Sequence, residues 1–334
     1  MVRETLDKTA VEYHYDDAGN LIGQTTPSGD TLGFGYDPDQ RLETLTDWNG
    51  GTTRWHYANV EGGFTQRYPS HLVSLTRHDA KGKPTALEVE RQDQSRPFAL
   101  GFAYDAEDRL HTSFDSQFGT RRYYYDRESR LLAVDADHSQ HRERFAYDPA
   151  GNRIFGNGKQ AGFDAGDRII HQGDLRCGYD AQGNLTTLRA RDRARTLAWN
   201  RRGLLVSAVS ADGTQVTFGY DAFGRRIRKR TIGTGNPTPT ETRYWWAGEQ
   251  LIAEAQWEGQ RLIRRQEYGY LPGTTIPFAT RIDGQVYYYH CDHLGTPRRL
   301  TNAFGEVVWA ADYDAFGQAR IARDLIHNPL RFAG

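Results

Sequence analysis

Residues Tyr287–Gly317 read YYYHCDHLGTPRRLTNAFGEVVWAADYDAFG. The stretch holds a turn rich in His and Asp, then a strand, then Tyr313-Asp314 with Gly317 closing the next turn. Weaker copies of that last device, an aromatic followed by Asp and then Gly, recur through most of the chain. Tyr15, Tyr36, Tyr57 and His78 stand 21 residues apart, as do Tyr104 and Tyr125. Tyr147 follows at 22, Phe163 and Tyr179 at 16 each, Trp199 at 20 and Tyr220 at 21. Beyond these the spacing becomes irregular, through Trp246, Tyr268 or Tyr270, Tyr289 and Tyr313. A fixed period of this size marks a repeat architecture, so the length of 334 residues is no guide to domain count.

A period near 21 accommodates two strands of roughly 6 to 8 residues and their turns. Asp after the aromatic accepts a hydrogen bond from the backbone two residues on and bends the chain. Gly19, Gly151, Gly183, Gly203, Gly224 and Gly317 then fall where a short loop needs a left-handed residue. Apolar residues such as Leu21, Leu42, Leu110, Leu131 and Leu185 restart the strands. In Gln215–Tyr220 the apolar residues alternate, as on a one-sided strand. The chain therefore reads as all-β, an array of hairpins forming a ribbon, and its role as architectural. Arg189–Arg195 is helical by propensity, but it lies between two units of ordinary length and reads as a hairpin tip or strand. Gly62–Pro69 and Gly233–Pro239 read as loops.

Composition agrees. Aromatics make up 12%, Gly numbers 35 and mean hydropathy is -0.76, which suits a thin, wetted sheet better than a compact globule. The net charge of -1 gives no global field to draw in nucleic acid or an acidic membrane. No apolar run approaches a membrane span, and the N-terminus MVRETLDKTAVEYHYDD lacks the apolar core of a signal peptide. Cys177 and Cys291 are the only cysteines, too few for a disulfide framework or a paired-Cys zinc site.

At these residues the chain resembles the Rhs or YD-repeat family, whose units share an aromatic-Asp, Gly-Arg/Asn-Leu pattern. Tyr289-His290-Cys291-Asp292-His293-Leu294-Gly295-Thr296-Pro297 is similar to the H-x-D-H-L-G-T-P block of the Rhs core. Tyr313–Gly317 and Asn328-Pro329-Leu330-Arg331-Phe332-Ala333-Gly334 also resemble that core. The resemblance divides the chain into a YD-repeat array over 1–286 and an Rhs core-associated segment over 287–334, continuous with it. It implies a ribbon that spirals into a hollow shell enclosing a C-terminal toxin. At about 4.8 Å per strand, roughly fifteen two-strand units give a ribbon on the order of 140 Å, about one turn around a cavity and so a partial shell.

The partners implied are a toxin cargo, in cis or in trans, and the rest of the shell or another chain pairing at open ribbon edges. Delivery proteins of a secretion system are implied as well. The location implied is the bacterial cytoplasm, then outside it after delivery. In the family the N-P-L-R-F motif runs on into a self-cleaving aspartyl segment, which is absent up to Gly334, so no enzymatic role is assigned.

His290, Asp292 and His293 form the one dense titratable cluster. Their types suit a metal or acid–base site. Three groups within four residues and no identifiable fourth ligand favour a turn capped by Asp292, with the histidines on the surface or in packing. No catalytic, cofactor-binding or metal-ligating residue is assigned. Arg225–Arg230 is the strongest basic run, but strand alternation divides it between two faces, so nucleic acid is not expected. The aromatic ladder reads as cross-strand packing. The competing functional reading is a surface adhesion or carbohydrate-binding module using Trp245 or Trp246, and a third is a fragment of a self-processing protease.

Overall fold

A computed structural model describes residues 2–6, 9–57, 62–137, 142–235 and 238–331. The described residues form 31 strands, numbered β1 to β31 in chain order, and no helix. The chain divides into two compact units. Unit 1 comprises 1–124, 134–142 and 266–334; unit 2 comprises 125–133 and 143–265.

The repeat is built by its turn. Asp105 shows the pattern. Its N–H donates to the Arg109 carbonyl at 2.9 Å, and its Oδ1 accepts from the N–H groups of Glu107 and Arg109 at 3.1 and 2.8 Å. Its Oδ2 accepts from Arg109 Nε at 2.7 Å. Where Asn replaces Arg, its amide takes the same place, as with Asn20 on Asp16 at 3.0 Å and Asn184 on Asp180 at 2.9 Å. One carboxylate thus fixes the whole loop, which is why the Asp recurs. The aromatic before it sits at a register shift, for example between Gly35 and Tyr36 and between Gly219 and Tyr220.

The aromatics do more than pack. Tyr36, Tyr57, Tyr147 and Tyr220 donate their hydroxyls to the carbonyls of Leu21, Leu42, Leu131 and Leu205, at 3.0, 2.8, 2.9 and 2.7 Å. Each acceptor is the first residue of a strand in the preceding repeat. Trp199 and Trp246 make the equivalent bond through Nε1, to Leu185 and Arg226 at 2.7 and 2.9 Å. The period is therefore the spacing of a covalently local, hydrogen-bonded staple between neighbouring repeats.

The last loop residue before the Arg or Asn is left-handed. Gly19 has φ 88°, yet Gln40 holds the equivalent place at φ 61°. A side chain there costs energy that Gly avoids, partly offset by the greater freedom of Gly in the unfolded chain. Gln40→Gly should stabilise the protein by about 0.5–1 kcal/mol, and Gly19→Gln should cost a similar amount. Equilibrium unfolding of the two variants checks both signs; neutrality of both would refute the assignment.

The units differ in depth. In unit 1, β1 to β12 and β26 to β31 each form antiparallel neighbours in chain order. Leu32, Leu45, Trp55, Tyr68, Leu72 and Phe98 of the first strip pack against Phe278, Ala279, Val286 and Tyr288 of the second. A second cluster covers the other face of that second strip, with Tyr289, Leu300, Trp309 and Tyr313 at its centre and Ile326 and Leu330 laid against it. In unit 2, no described residue from 147 to 241 is fully buried. The thin, wetted sheet expected from composition therefore describes residues 147–241 of unit 2, gives way to buried residues at Ala247 and Ile252–Ala255, and fails for unit 1, whose strips bury each other.

Two loop assignments meet the structure differently. Within Gly62–Pro69, Phe64–Arg67 is strand β7, paired with β6 (Thr52–Tyr57) and β8 (Val73–His78). Gly62, Gly63 and Pro69 only punctuate its ends. Gly233, Thr234, Gly235 and Pro239 are outside strands, as expected, while Asn236 and Pro237 lie outside the described residues. So do residues 58–61 of the turn after Tyr57, and Phe332, Ala333 and Gly334 of the terminal motif. Arg189–Arg195 is a hairpin tip between β19 (Leu185–Ala190) and β20 (Arg193–Trp199).

Candidate functional site

The His-Asp cluster lies on the hairpin of β28 (Gln285–Cys291) and β29 (Pro297–Thr301). Asp292 caps that turn: its Oδ1 accepts from the N–H groups of Leu294 and Thr296, each at 3.0 Å. Gly295 is left-handed at φ 80°, and an added Cβ would stand 3.0 Å from Ile276 Cγ1, so both backbone and space select glycine.

The two histidines are packing residues. His290 is 2% exposed, with ring centroids of Tyr68 and Phe98 at 5.1 and 5.0 Å. Its Nε2 lies 2.9 Å from Thr301 Oγ1. Burial, with the nearby Arg299 charge, pushes its pKa down to about 3, so the ring is neutral near pH 7. His293 lies against Phe102 at 4.5 Å, and burial lowers its pKa against the opposing charge of Asp292. Burial also raises the Cys291 thiol, which points away from nucleophilic use. Among the described residues, no group of three or more His, Cys, Asp or Glu side chains is placed to hold a metal ion.

The charged residues that matter here were not singled out by sequence. Arg299 pairs with Asp115 at 2.7 Å, and Arg298 bridges Asp115 and Asp312 at 3.2 and 3.1 Å. Arg121 pairs with Asp312 and also donates to the Tyr313 carbonyl at 2.5 Å. Asp292 lies 3.8 Å from Arg298 at the network's border. With Arg320 3.9 Å from Asp312 at the other border, four guanidinium groups and three carboxylates join 115–121 to 292–320 within unit 1.

A second clip repeats the idea. Buried Glu267 accepts from Thr26 at 3.1 Å and from Ser28, and Arg281 donates to it at 2.7 Å and pairs with Asp30 at 2.5 Å. Tyr288 donates to Asp47 at 2.6 Å. The available signal was charge inside apolar strands: Arg298-Arg299, Asp312 and Glu267 sit in runs that bury both faces. What this arrangement does chemically is hold two strips together.

Charge is uneven elsewhere. Unit 2 has 22 Lys and Arg against 15 Asp and Glu, so the near-neutral total conceals a cationic unit. Arg225–Arg230 contributes by splitting as a strand does: Arg225 pairs with Asp221 at 2.7 Å, Arg228 with Glu241 at 2.8 Å, and Arg226 lies over the rings of Phe218 and Tyr244.

Comparison with known proteins agrees with this construction. The family model "Teneurin YD-shell" matches residues 63–324, and "RHS Repeat" matches residues 15–57. The chain belongs to the YD-shell family of Rhs-repeat proteins. It is 26% identical to Double-stranded DNA deaminase toxin A of Burkholderia cenocepacia, over 97% of this chain and 26% of that protein. It is 27% identical to Toxin protein Tse5 of Pseudomonas aeruginosa, over 70% of this chain and 22% of the relative.

The chain therefore spans about a quarter of the length of these relatives. Among solved structures it superposes on a TcdB2-TccC3-Cdc42 crystal structure with TM-score 0.76 at 14% identity, covering 95% of this chain and 18% of the other. The Photorhabdus luminescens Tc holotoxin pore gives the same TM-score at 13% identity, covering 98% and 19%. The all-β YD-repeat fold read from the spacing is thus the fold observed.

Proposed function

We propose that this chain is a section of β-shell wall that encloses a toxin and keeps it inactive until delivery. The observation that carries the reading is the Teneurin YD-shell match over residues 63–324, joined to the likeness of fold to TccC3-containing toxins. The toxin names of the bacterial relatives support it. Confinement is the mechanism: a polypeptide without room to complete its own core does not fold. The chain's residues act as wall, and catalysis, where there is any, belongs to the cargo.

In this reading 287–334 is the terminal continuation of the array. Its partners are the cargo, in cis or in trans, the remaining shell strands, and the proteins of a secretion apparatus. The outer strand β31 (Ala319–Asp324) is exposed along most of its length, which suits pairing with further shell. The protein is made in the bacterial cytoplasm and acts after leaving it. Adhesion through an aromatic ladder is disfavoured, because Trp199 and Trp246 spend their N–H groups on inter-repeat staples.

The test is limited proteolysis of the full gene product containing this chain, with the cargo followed by an antibody tag. A cargo protected in the intact protein and cut once the shell is unfolded is the expected result. A cargo digested as fast as the same polypeptide expressed alone would sink the proposal.

A further inference from the structure

Within unit 2, residues 189–195, RARDRAR, close the hairpin of β19 and β20. Arg189, Arg191, Arg193 and Arg195 are all exposed, and none makes a hydrogen bond or an ion pair among the described residues. Other arginines of the unit are engaged: Arg168 with Asp164, Arg225 with Asp221, and Arg228 and Arg243 with Glu241. The hairpin end is thus a concentration of positive charge that the fold itself does not use.

Strand register distributes that charge. Arg189 is opposite Ala194 of β20 and Arg176 of β18 (Leu175–Tyr179), so Arg176 and Arg189 share one face. Arg193 and Arg195 are opposite Ala190 and Leu188 and share the other face. Arg191 stands in the turn between them. Like charges directly across strands repel, so Arg176 beside Arg189 weakens the sheet unless an anion is at hand. Asp192 in the turn and Asp174 and Asp212 in the flanking loops leave this corner with five arginines against three aspartates.

A partner that uses these arginines together must meet both faces and the turn at once. An acidic polypeptide laid along the sheet reaches one face only. Beside its arginines the hairpin end offers Ala190 and Ala194, without the large anchor that centres a protein interface. It has no aromatic side chain on which a nucleic-acid base could stack. A flat, fluid layer of phosphate headgroups, approached end-on, needs neither anchor nor pocket, and long arginine side chains from both faces reach it together. We propose that this hairpin end docks the chain on a membrane surface rich in anionic phospholipid, by charge and without insertion.

Cosedimentation of the intact chain with vesicles tests this. Phosphatidylcholine vesicles with about one third phosphatidylglycerol should bind it at least about tenfold more tightly than phosphatidylcholine alone. Raising salt from about 0.1 M to about 0.5 M should remove most of that difference. Each arginine brought to such a surface strengthens binding about fivefold. Arg189→Gln, Arg191→Gln, Arg193→Gln and Arg195→Gln together should therefore weaken it at least about twentyfold, while changing the same four to Lys should keep it within about threefold. Arg54→Gln, Arg67→Gln, Arg127→Gln and Arg201→Gln together remove the same charge from exposed positions elsewhere and should weaken it less than about threefold.

The lipid and salt dependence of the unaltered chain keeps the test open if a variant folds poorly. Equal binding to neutral vesicles, or equal losses in the two sets of Gln variants, would overturn the proposal. A loss in the Lys variant as large as in the Gln variant would also overturn it, because a diffuse layer of charge does not distinguish the two cations as a fixed bidentate site does. Tighter binding of the hairpin end to duplex DNA or to polyglutamate than to the anionic vesicles would assign it to a nucleic acid or an acidic protein and would overturn it as well.

Discussion

Acidification from about pH 7.5 to about pH 4.5 should remove about 2–3 kcal/mol of stability through His290 alone. The folded ring has its pKa pushed down to about 3, because burial between Tyr68 and Phe98 disfavours the charged form and Arg299 adds to the effect. The unfolded chain regains the ordinary value of 6.5. Between these two values the unfolded chain binds a proton that the folded chain refuses. Stability is therefore full above the unfolded value and falls by about 1.4 kcal/mol per pH unit as pH drops toward the folded one. His293, also lowered by burial, adds a slope of the same sign.

The turn carboxylates follow a separate window. Hydrogen bonds from Asn152 hold Asp148 below its ordinary value, and Arg168 does the same for Asp164. Their contribution is present above the unfolded carboxylate value and is lost only at lower pH, as it falls through the folded values. Urea unfolding of the parent and of His290→Phe at the two pH values separates the effects. The parent should show the slope, and the variant should lack most of it. A parent curve that is flat above about pH 4.5 would mean that His290 takes up its proton in place, which its burial forbids.

The part of this fold that was legible is the part whose partners are near in sequence. The loop aspartate finds its donors two and four residues on, so residue type and spacing suffice to read it. The staple from Tyr220 to Leu205 shares the same period, but residue type alone does not separate a tyrosine that packs from one that donates. The packing of Tyr68 against Phe278 joins residues more than two hundred positions apart and obeys no period. Only an indirect sign of it was present. Val307–Tyr313, VVWAADY, is apolar on both faces with one embedded Asp, as a strand buried on both sides requires. The cluster His290, Asp292 and His293 drew attention because titratable groups stood close in sequence, whereas the buried charges that join the strips are scattered from Asp115 to Asp312.

Those scattered charges carry the other large effect. Asp312 is 1% exposed and faces both Arg121 and Arg298, while Asp115 serves Arg298 and Arg299. Arg320 stands 3.9 Å from Asp312 as well, so this one carboxylate serves three guanidinium groups. Asp312→Asn keeps the shape and removes one charge, leaving buried guanidinium groups in excess. The expected loss is about 3–5 kcal/mol, the cost of breaking a buried pair from one side. An exposed cluster gives the contrast: Asp108→Asn, which discharges the partner of Lys81 and Lys83, should cost far less than Asp312→Asn.

Removing both sides of the buried pair, with Arg121→Met and Asp312→Leu, should cost less than the sum of the two single changes, because Arg121 leaves with its partner and Arg298 keeps Asp115. Chemical denaturation of the five variants decides the matter. A loss from Asp312→Asn no larger than that from Asp108→Asn would show the network to be well hydrated and the strips to be held by their apolar faces alone. A large loss, relieved in the double variant, would make the charges the device that fixes which residues of the second strip meet 115–121. Apolar surfaces tolerate sliding, whereas a network of buried charge pairs is satisfied in one register only.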